Sequence, residues 1–186
     1  PYRVFSNEVE SSRILGNLDL IKKEYILVTA HRSENVDDEN NLKKIFSSLE
    51  KINKKFKKRI IYPMHPRTLS KIKNVKIPKS IEIIKPLGFF DFTKLEKNAF
   101  CLITDSGTVP EETLYFNRPC ITIRESTERL ETIEAGANIL SGLQPQQMLD
   151  AVETITSQKP SWGRNEILGD GKTARKIVNI LQGRLY

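Results

Sequence analysis

The 186 residues carry 30 Lys and Arg against 23 Asp and Glu, a formal charge of +7, with 38% hydrophobic and 28% charged residues. That suits one good-sized α/β domain with a real core, and no apolar run approaches the roughly 20 residues that span a bilayer. Beginning at Pro1 rather than Met, with no signal peptide, the chain is expected to be a cytoplasmic fragment whose upstream part is missing.

Residues 1–24 lack a clear period and read as a linker or hinge with one short helix, and residues 25–186 as the folded domain. Tyr25–Thr29 is a strand of the fully buried kind. His31-Arg32 follows it, and Ser33-Glu34-Asn35 continues a polar loop. From Asp38 to Phe56 the spacing predicts a helix with Leu42, Ile45, Phe46, Leu49 and Ile52 on one face. Much of the positive charge lies on and just after it, in Lys43, Lys44, Lys51, Lys54, Lys55, Lys57, Lys58 and Arg59. Such a run is a solvated helix face, and nucleic-acid binding is not expected from it.

Arg59–Tyr62 is the second strand, followed by His65-Pro66-Arg67 and a short helix over Thr68–Ile72. Ile81–Ile84 is the third, and Gly88-Phe89-Phe90-Asp91-Phe92 leads into a helix over Asp91–Asn98 with Asp91 as its N-cap. Phe100–Thr104 is the fourth, ending on Asp105-Ser106-Gly107-Thr108 and a further helix. Cys120–Ile123 is the fifth, with a polar helix start at Arg124–Arg129 and a helix from about Thr127 to Glu134. Cys101 and Cys120 sit inside apolar runs without CxxC or metal-ligand spacing, so buried thiols and no metal are expected. Asn138–Leu140 closes the strands. Helices over Pro145–Ile155 and Lys172–Leu181 flank a loop-like stretch, Gln158–Gly171, that contains Gly169-Asp170-Gly171.

Strict alternation of strand and helix implies βαβ crossovers and a Rossmann-like, doubly wound parallel sheet, whose ligands bind at the strands' carboxyl ends. Five successive strand ends carry polar or turn chemistry. His31 and Arg32 suit a phosphate or a leaving group, or His31 caps the turn that follows. Glu34 and its neighbours either face the crevice or cap a helix. His65 and Arg67, held by Pro66, are presented at the same edge or are merely exposed. Phe89, Phe90 and Phe92 form either a slot for a base or part of the core. The Arg124–Arg129 stretch, Arg129 included, binds phosphate or pairs internally.

The fourth strand end is the most informative. A small-residue turn between strand and helix exposes backbone N–H groups at the positive end of the helix dipole, where a phosphate can reach them. Thr108 and Glu111 fit a capping box, with Pro110 in the first turn. Glu112 is then left over. A second carboxylate would repel phosphate, so it suits sugar hydroxyls, and the combination points to a nucleotide or nucleotide sugar. The turn is neither Gly-x-Gly-x-x-Gly nor a Walker loop, and there is no Gly-x-Ser-x-Gly elbow to make Ser106 a nucleophile.

Taken in order, Thr29-Ala30-His31-Arg32-Ser33-Glu34-Asn35, Tyr62-Pro63-Met64-His65-Pro66, Phe89-Phe90-Asp91-Phe92, Asp105-Ser106-Gly107-Thr108 with Glu111-Glu112, and Ser126-Thr127-Glu128-Arg129 followed by Glu134-Ala135-Gly136-Ala137-Asn138 resemble the non-hydrolysing UDP-N-acetylglucosamine 2-epimerases. The match runs from about Tyr25 to Gly142. The resemblance implies the C-terminal half of a GT-B fold, the half that holds UDP. It implies that Arg32, Ser106, Gly107 and Thr108 bind the diphosphate, that Glu112 binds the ribose and that Phe92 lies beside the uracil. His31 would be catalytic, steadying the departing UDP, and His65 matches a position near a second, regulatory UDP-sugar site.

The implied reaction eliminates UDP to a 2-acetamidoglucal and adds it back with C2 inverted, interconverting UDP-GlcNAc and UDP-ManNAc for surface polysaccharide synthesis without a cofactor. Its acid and base carboxylates belong to the missing N-terminal domain, so this chain is expected to bind UDP and not to epimerise. The whole protein would be a homodimer, with no nucleic-acid or membrane partner. GT-B folds also send a C-terminal helix back across to the other domain.

Three positions depart from the pattern. Thr108 stands for a common Gly and Leu130 for a common Pro, while Arg67 with the Gly88–Phe92 loop resembles the branch acting on UDP-2-acetamido-2,6-dideoxy-L-hexoses. A GT-B glycosyltransferase and a non-catalytic nucleotide-sugar-binding domain are the other readings. The His-Arg loop with the later Ser-Thr-Glu-Arg favours the epimerase.

Overall fold

A computed structural model describes residues 4–158, 162 and 169–183. Six strands form one sheet: β1 (Tyr25–Thr29), β2 (Arg59–Pro63), β3 (Ile81–Ile84), β4 (Cys101–Thr104), β5 (Cys120–Thr122) and β6 (Asn138–Leu140). All are parallel, in the order β3-β2-β1-β4-β5-β6. This is the doubly wound sheet expected from the alternation. The chain reverses its direction of travel across the sheet between β1 and β4, which places a crevice at their carboxyl ends.

The helices are α1 (Ser6–Ser11), α2 (Ile14–Asn17), α3 (Ser33–Val36), α4 (Glu39–Phe56), α5 (Pro66–Lys71), α6 (Phe89–Asn98), α7 (Val109–Phe116), α8 (Leu130–Glu134), α9 (Pro145–Ser157) and α10 (Thr173–Leu181). Successive strand residues point to opposite faces. Ile26 and Val28 of β1 join one cluster with Leu42, Ile45, Phe46, Leu49 and Ile52 of α4 and Met148, Val152 and Ile155 of α9. Tyr25 and Leu27 join the other, with Ile14, Leu95 of α6 and Val109 of α7. Every residue of β1 is buried, as its apolar run required.

The segment ahead of β1 carries two short helices where one was expected. Val9, Ile14 and Leu20 are buried, and Lys94 of α6 donates to the backbone carbonyl of Glu10 at 3.0 Å and to its carboxylate. Strand positions agree with expectation to within a residue or two, but several helix starts do not. Asp91 is not an N-cap. The helix begins at Phe89 with Gly88 as its cap, because Asp91 already lies in the first turn, where its carboxylate accepts from Ser12 Oγ at 2.6 Å.

Ser33–Val36 is a helical turn, not a loop. The helix expected from Thr127 begins at Leu130, since Thr127 Oγ1 instead accepts the Arg129 N–H at 3.1 Å. The loop expected over Gln158–Gly171 falls largely on 159–161 and 163–168, outside the described residues. Gly169 and Gly171 have left-handed φ of 83° and 79°, conformations that glycine adopts without a Cβ penalty.

Candidate functional site

Asp105 is the first residue after β4. Its carboxylate is fully buried and ties the ends of β1 and β4 together. It accepts from the His31 N–H at 2.9 and 3.1 Å, the Arg32 N–H at 2.9 Å and Asn35 Nδ2 at 3.1 Å. Arg32 Nε returns a hydrogen bond to the Asp105 carbonyl at 2.8 Å, and Asn35 Nδ2 also reaches the Ile123 carbonyl at 3.1 Å. A buried carboxylate is stable only with such donors around it. The knot fixes the His31-Arg32 loop against the Ser106–Thr108 turn at the topological switch point.

The turn is small and close to charge. Ser106 N–H donates to Thr104 Oγ1 at 2.9 Å, and Thr108 N–H to Ser106 Oγ at 3.3 Å. A Cβ on Gly107 would stand 2.6 Å from Glu128 Oε1 and 3.5 Å from Arg32 Nη2. The expected capping box does not form. Thr108 has helical dihedrals (φ −96°, ψ −33°), so its hydroxyl cannot reach forward to the first turn and lies 3.3 Å from Ser106 Oγ instead. Glu111 turns to Arg129, 3.3 Å away, while Arg129 Nε donates to the Gly107 carbonyl at 3.3 Å.

Arg124, which the sequence reading left inside a stretch and did not single out, lies 3.0 Å from Glu128 and 3.7 Å from Glu34. A hydrogen bond from its own backbone N–H, and then the Arg124 guanidinium, hold the Glu128 carboxyl below the usual range. Arg32 and Arg129 thus flank the turn, with Arg124 behind Glu128, and Arg124 and Arg129 are each paired with a carboxylate. A cavity of about 340 Å³ opens on the Arg124 side, lined by Glu34, Asn35, Lys44, Arg124, Glu125 and Ser126 among others and not by Arg32, Arg129 or the Ser106–Thr108 turn. That falls within the size range of small-ligand sites.

Both histidines stand at this edge, their rings 5.5 Å apart. His31 Nδ1 is 3.6 Å from Asp105 Oδ1. His65 Nδ1 accepts the Arg67 N–H at 3.1 Å and so caps α5, while the Arg67 guanidinium pairs with Asp37. Phe92 is half-buried against the second core cluster. Phe89 and Phe90 are 44% and 39% exposed, which overturns the core alternative for them. They meet edge to face, with Phe5 against Phe90. Glu112 is half-buried on the first turn of α7.

The structure therefore brings His31, Arg32, Ser106, Gly107, Thr108 and Arg129 together around one turn, with Glu34 linked to them through Arg124. His65 and Arg67 lie to one side of them. Asp105 and Asn35 carried no role in the sequence reading. Their only signal was position, immediately after a strand and four residues beyond His31.

The family model described as UDP-N-acetylglucosamine 2-epimerase matches residues 3–182. A UDP-N-acetylglucosamine 2-epimerase of Methanococcus maripaludis is 42% identical over 167 residues, covering 87% of this chain and 45% of the relative. The solved UDP-GlcNAc 2-epimerase of Methanocaldococcus jannaschii, in complex with UDP-GlcNAc and UDP, superposes with a TM-score of 0.83 at 39% identity, covering 95% of this chain and 50% of that one. At the level of fold alone, the calicheamicin glycosyltransferase CalG4 matches with a TM-score of 0.59 at 15% identity, over 88% of this chain and 43% of its own. The chain spans about half the length of the curated relatives it matches.

Proposed function

The chain belongs to the UDP-N-acetylglucosamine 2-epimerase family, and from that premise we propose that it is the UDP-binding half of a UDP-sugar 2-epimerase. The observation that carries this is the Asp105 knot, which holds a bare Ser106-Gly107-Thr108 turn and the His31-Arg32 loop side by side at the switch point. Backbone N–H groups at a helix start, with guanidinium groups beside them, are the chemistry a diphosphate needs.

In this reading Ser106, Gly107, Thr108 and Arg32 take the diphosphate. Glu112 accepts the ribose hydroxyls, and Phe92 packs beside the uracil. Glu34 and Arg129 hold the rim of the turn. His31 donates a hydrogen bond to the diphosphate as its C1–O bond breaks, and so stabilises charge that grows in the transition state. His65 and Arg67 serve a second, regulatory UDP-sugar site beside it. In the whole protein, a homodimer, carboxylates of the other domain move the proton at C2. UDP leaves to give the 2-acetamidoglucal and returns, and UDP-GlcNAc and UDP-ManNAc interconvert for surface polysaccharide synthesis.

Titrating UDP into this chain by calorimetry, and following C2 of UDP-N-acetylglucosamine by NMR in a parallel sample, tests the division of labour. UDP binding without inversion is expected. Turnover by this chain alone, or no heat with UDP, overturns the reading.

A further inference from the structure

Glu96 lies on α6, one turn beyond Phe92 on the same helical face. It is fully buried, and no hydrogen-bond donor among the described residues reaches either carboxylate oxygen. An ionised carboxylate left in that state is very costly, so the group is stable only if it keeps its proton. Once protonated, it has one O–H to donate, and it needs an acceptor.

The acceptor is across the helix pair. α6 packs against α7, and Glu112 in the first turn of α7 is the charged side chain that bears on Glu96. Tyr25 of β1 and Cys120 of β5 are the other titratable groups near Glu96, and the Glu96 charge bears on both of them. Tyr25 already donates its hydroxyl to the Leu95 carbonyl at 2.6 Å. On α6 itself, Lys94 and Lys97 turn away to Glu10 of α1.

We propose that Glu96 is a positioning residue, a buried carboxylic acid that donates to the Glu112 side chain and holds it aimed at the ribose hydroxyls of the nucleotide. This rests on the reading of Glu112 as the ribose acceptor. Burial first, and then the neighbouring Glu112 carboxylate, push the Glu96 carboxyl well above the usual range. A glutamine here keeps a donor, whereas a leucine fills the site without one.

The test compares UDP with 2′-deoxyuridine diphosphate by calorimetry on the wild-type chain, Glu96→Gln and Glu96→Leu. A hydrogen bond to a charged group is worth enough that losing it lowers affinity by about tenfold. Glu96→Leu should therefore lose about tenfold in UDP affinity with little change for the deoxy analogue, while Glu96→Gln keeps the wild-type preference. As pH rises, the wild-type preference should fall while that of Glu96→Gln holds, because only the acid can ionise. An unchanged preference in Glu96→Leu overturns the proposal, as does Glu96→Gln behaving like Glu96→Leu. A wild-type chain that binds UDP but does not prefer it to the deoxy analogue overturns the ribose reading of Glu112 together with this inference. Failure to bind UDP at all overturns the proposed function as well.

Discussion

At the residue scale the site turns on how closely a ligand can approach the backbone. Gly107 does not need left-handed dihedrals, so an alanine fits its conformation. What an alanine would meet is the tip of Glu128, 2.6 Å from the added Cβ, with Arg32 at an ordinary 3.5 Å. The exposed Glu128 side chain can swing aside, and a Gly→Ala change in a permitted conformation restricts the unfolded chain. Gly107→Ala is therefore expected to leave the melting temperature within about 4 °C of the parent while weakening UDP by about tenfold or more, because the methyl fills the space a phosphate oxygen would take. Thermal unfolding and calorimetry on the same sample check it, and a large loss of stability with unchanged affinity would sink the idea. Such residues were legible because small side chains after a buried strand have few other uses. Asp105 was harder to read, since a buried carboxylate announces itself through its donors, and those come from residues 31, 32 and 35 on another strand end.

At the element scale, strands were more legible than helix starts, and the reason is physical. Burial on both faces forces an unbroken apolar run such as Tyr25–Thr29, whereas a helix start is decided by whichever side chain reaches an orphan N–H. Thr108 and Asp91 each looked like such a cap, and each has a different partner in the fold. The segment before β1 shows a related limit. Its short helices have little stability of their own and depend on contacts with α6, where Lys94 and Lys97 both reach Glu10. Lys94 and then Lys97 hold the Glu10 carboxyl down at about 2. The folded value lies below the unfolded one, so the contribution is complete above the ordinary Glu range and is lost as pH falls toward 2. The Glu10 side chain is half exposed, and its worth is discounted to at most about 1 kcal/mol. Glu10→Gln should lower the melting temperature by a few degrees, about 2–4 °C, at pH 7. The two melting curves should converge as the pH is taken through 4 toward 2, and a gap that persists there would remove the ion pair as its cause.

At the scale of the whole molecule, the sheet closes over two cores, yet α10 shares in neither of them. No residue of α10 is buried, and Ile177, Val178, Ile180 and Leu181 are 52%, 48%, 61% and 80% exposed. Nine residues are too few for a helix to persist unaided in water, and an apolar stripe of this kind is a surface for contact. The chain spans about half the length of its relatives, and in the proposed reading this stripe is the surface offered to the rest of the protein. The sequence showed the amphipathic pattern but could not show that its apolar residues stay exposed among the described residues, because the hydrophobic period is the same for a buried and an unpartnered face. Removing residues 172–186 is accordingly expected to shift the melting temperature by no more than about 2 °C. It should also reduce any self-association seen by sedimentation at high protein concentration. A loss of 5 °C or more, beyond the roughly 2–4 °C by which 1 kcal/mol shifts a chain of this size, would mean that α10 belongs to the domain's own core and that the fold extends beyond the six-stranded sheet and its two helical layers.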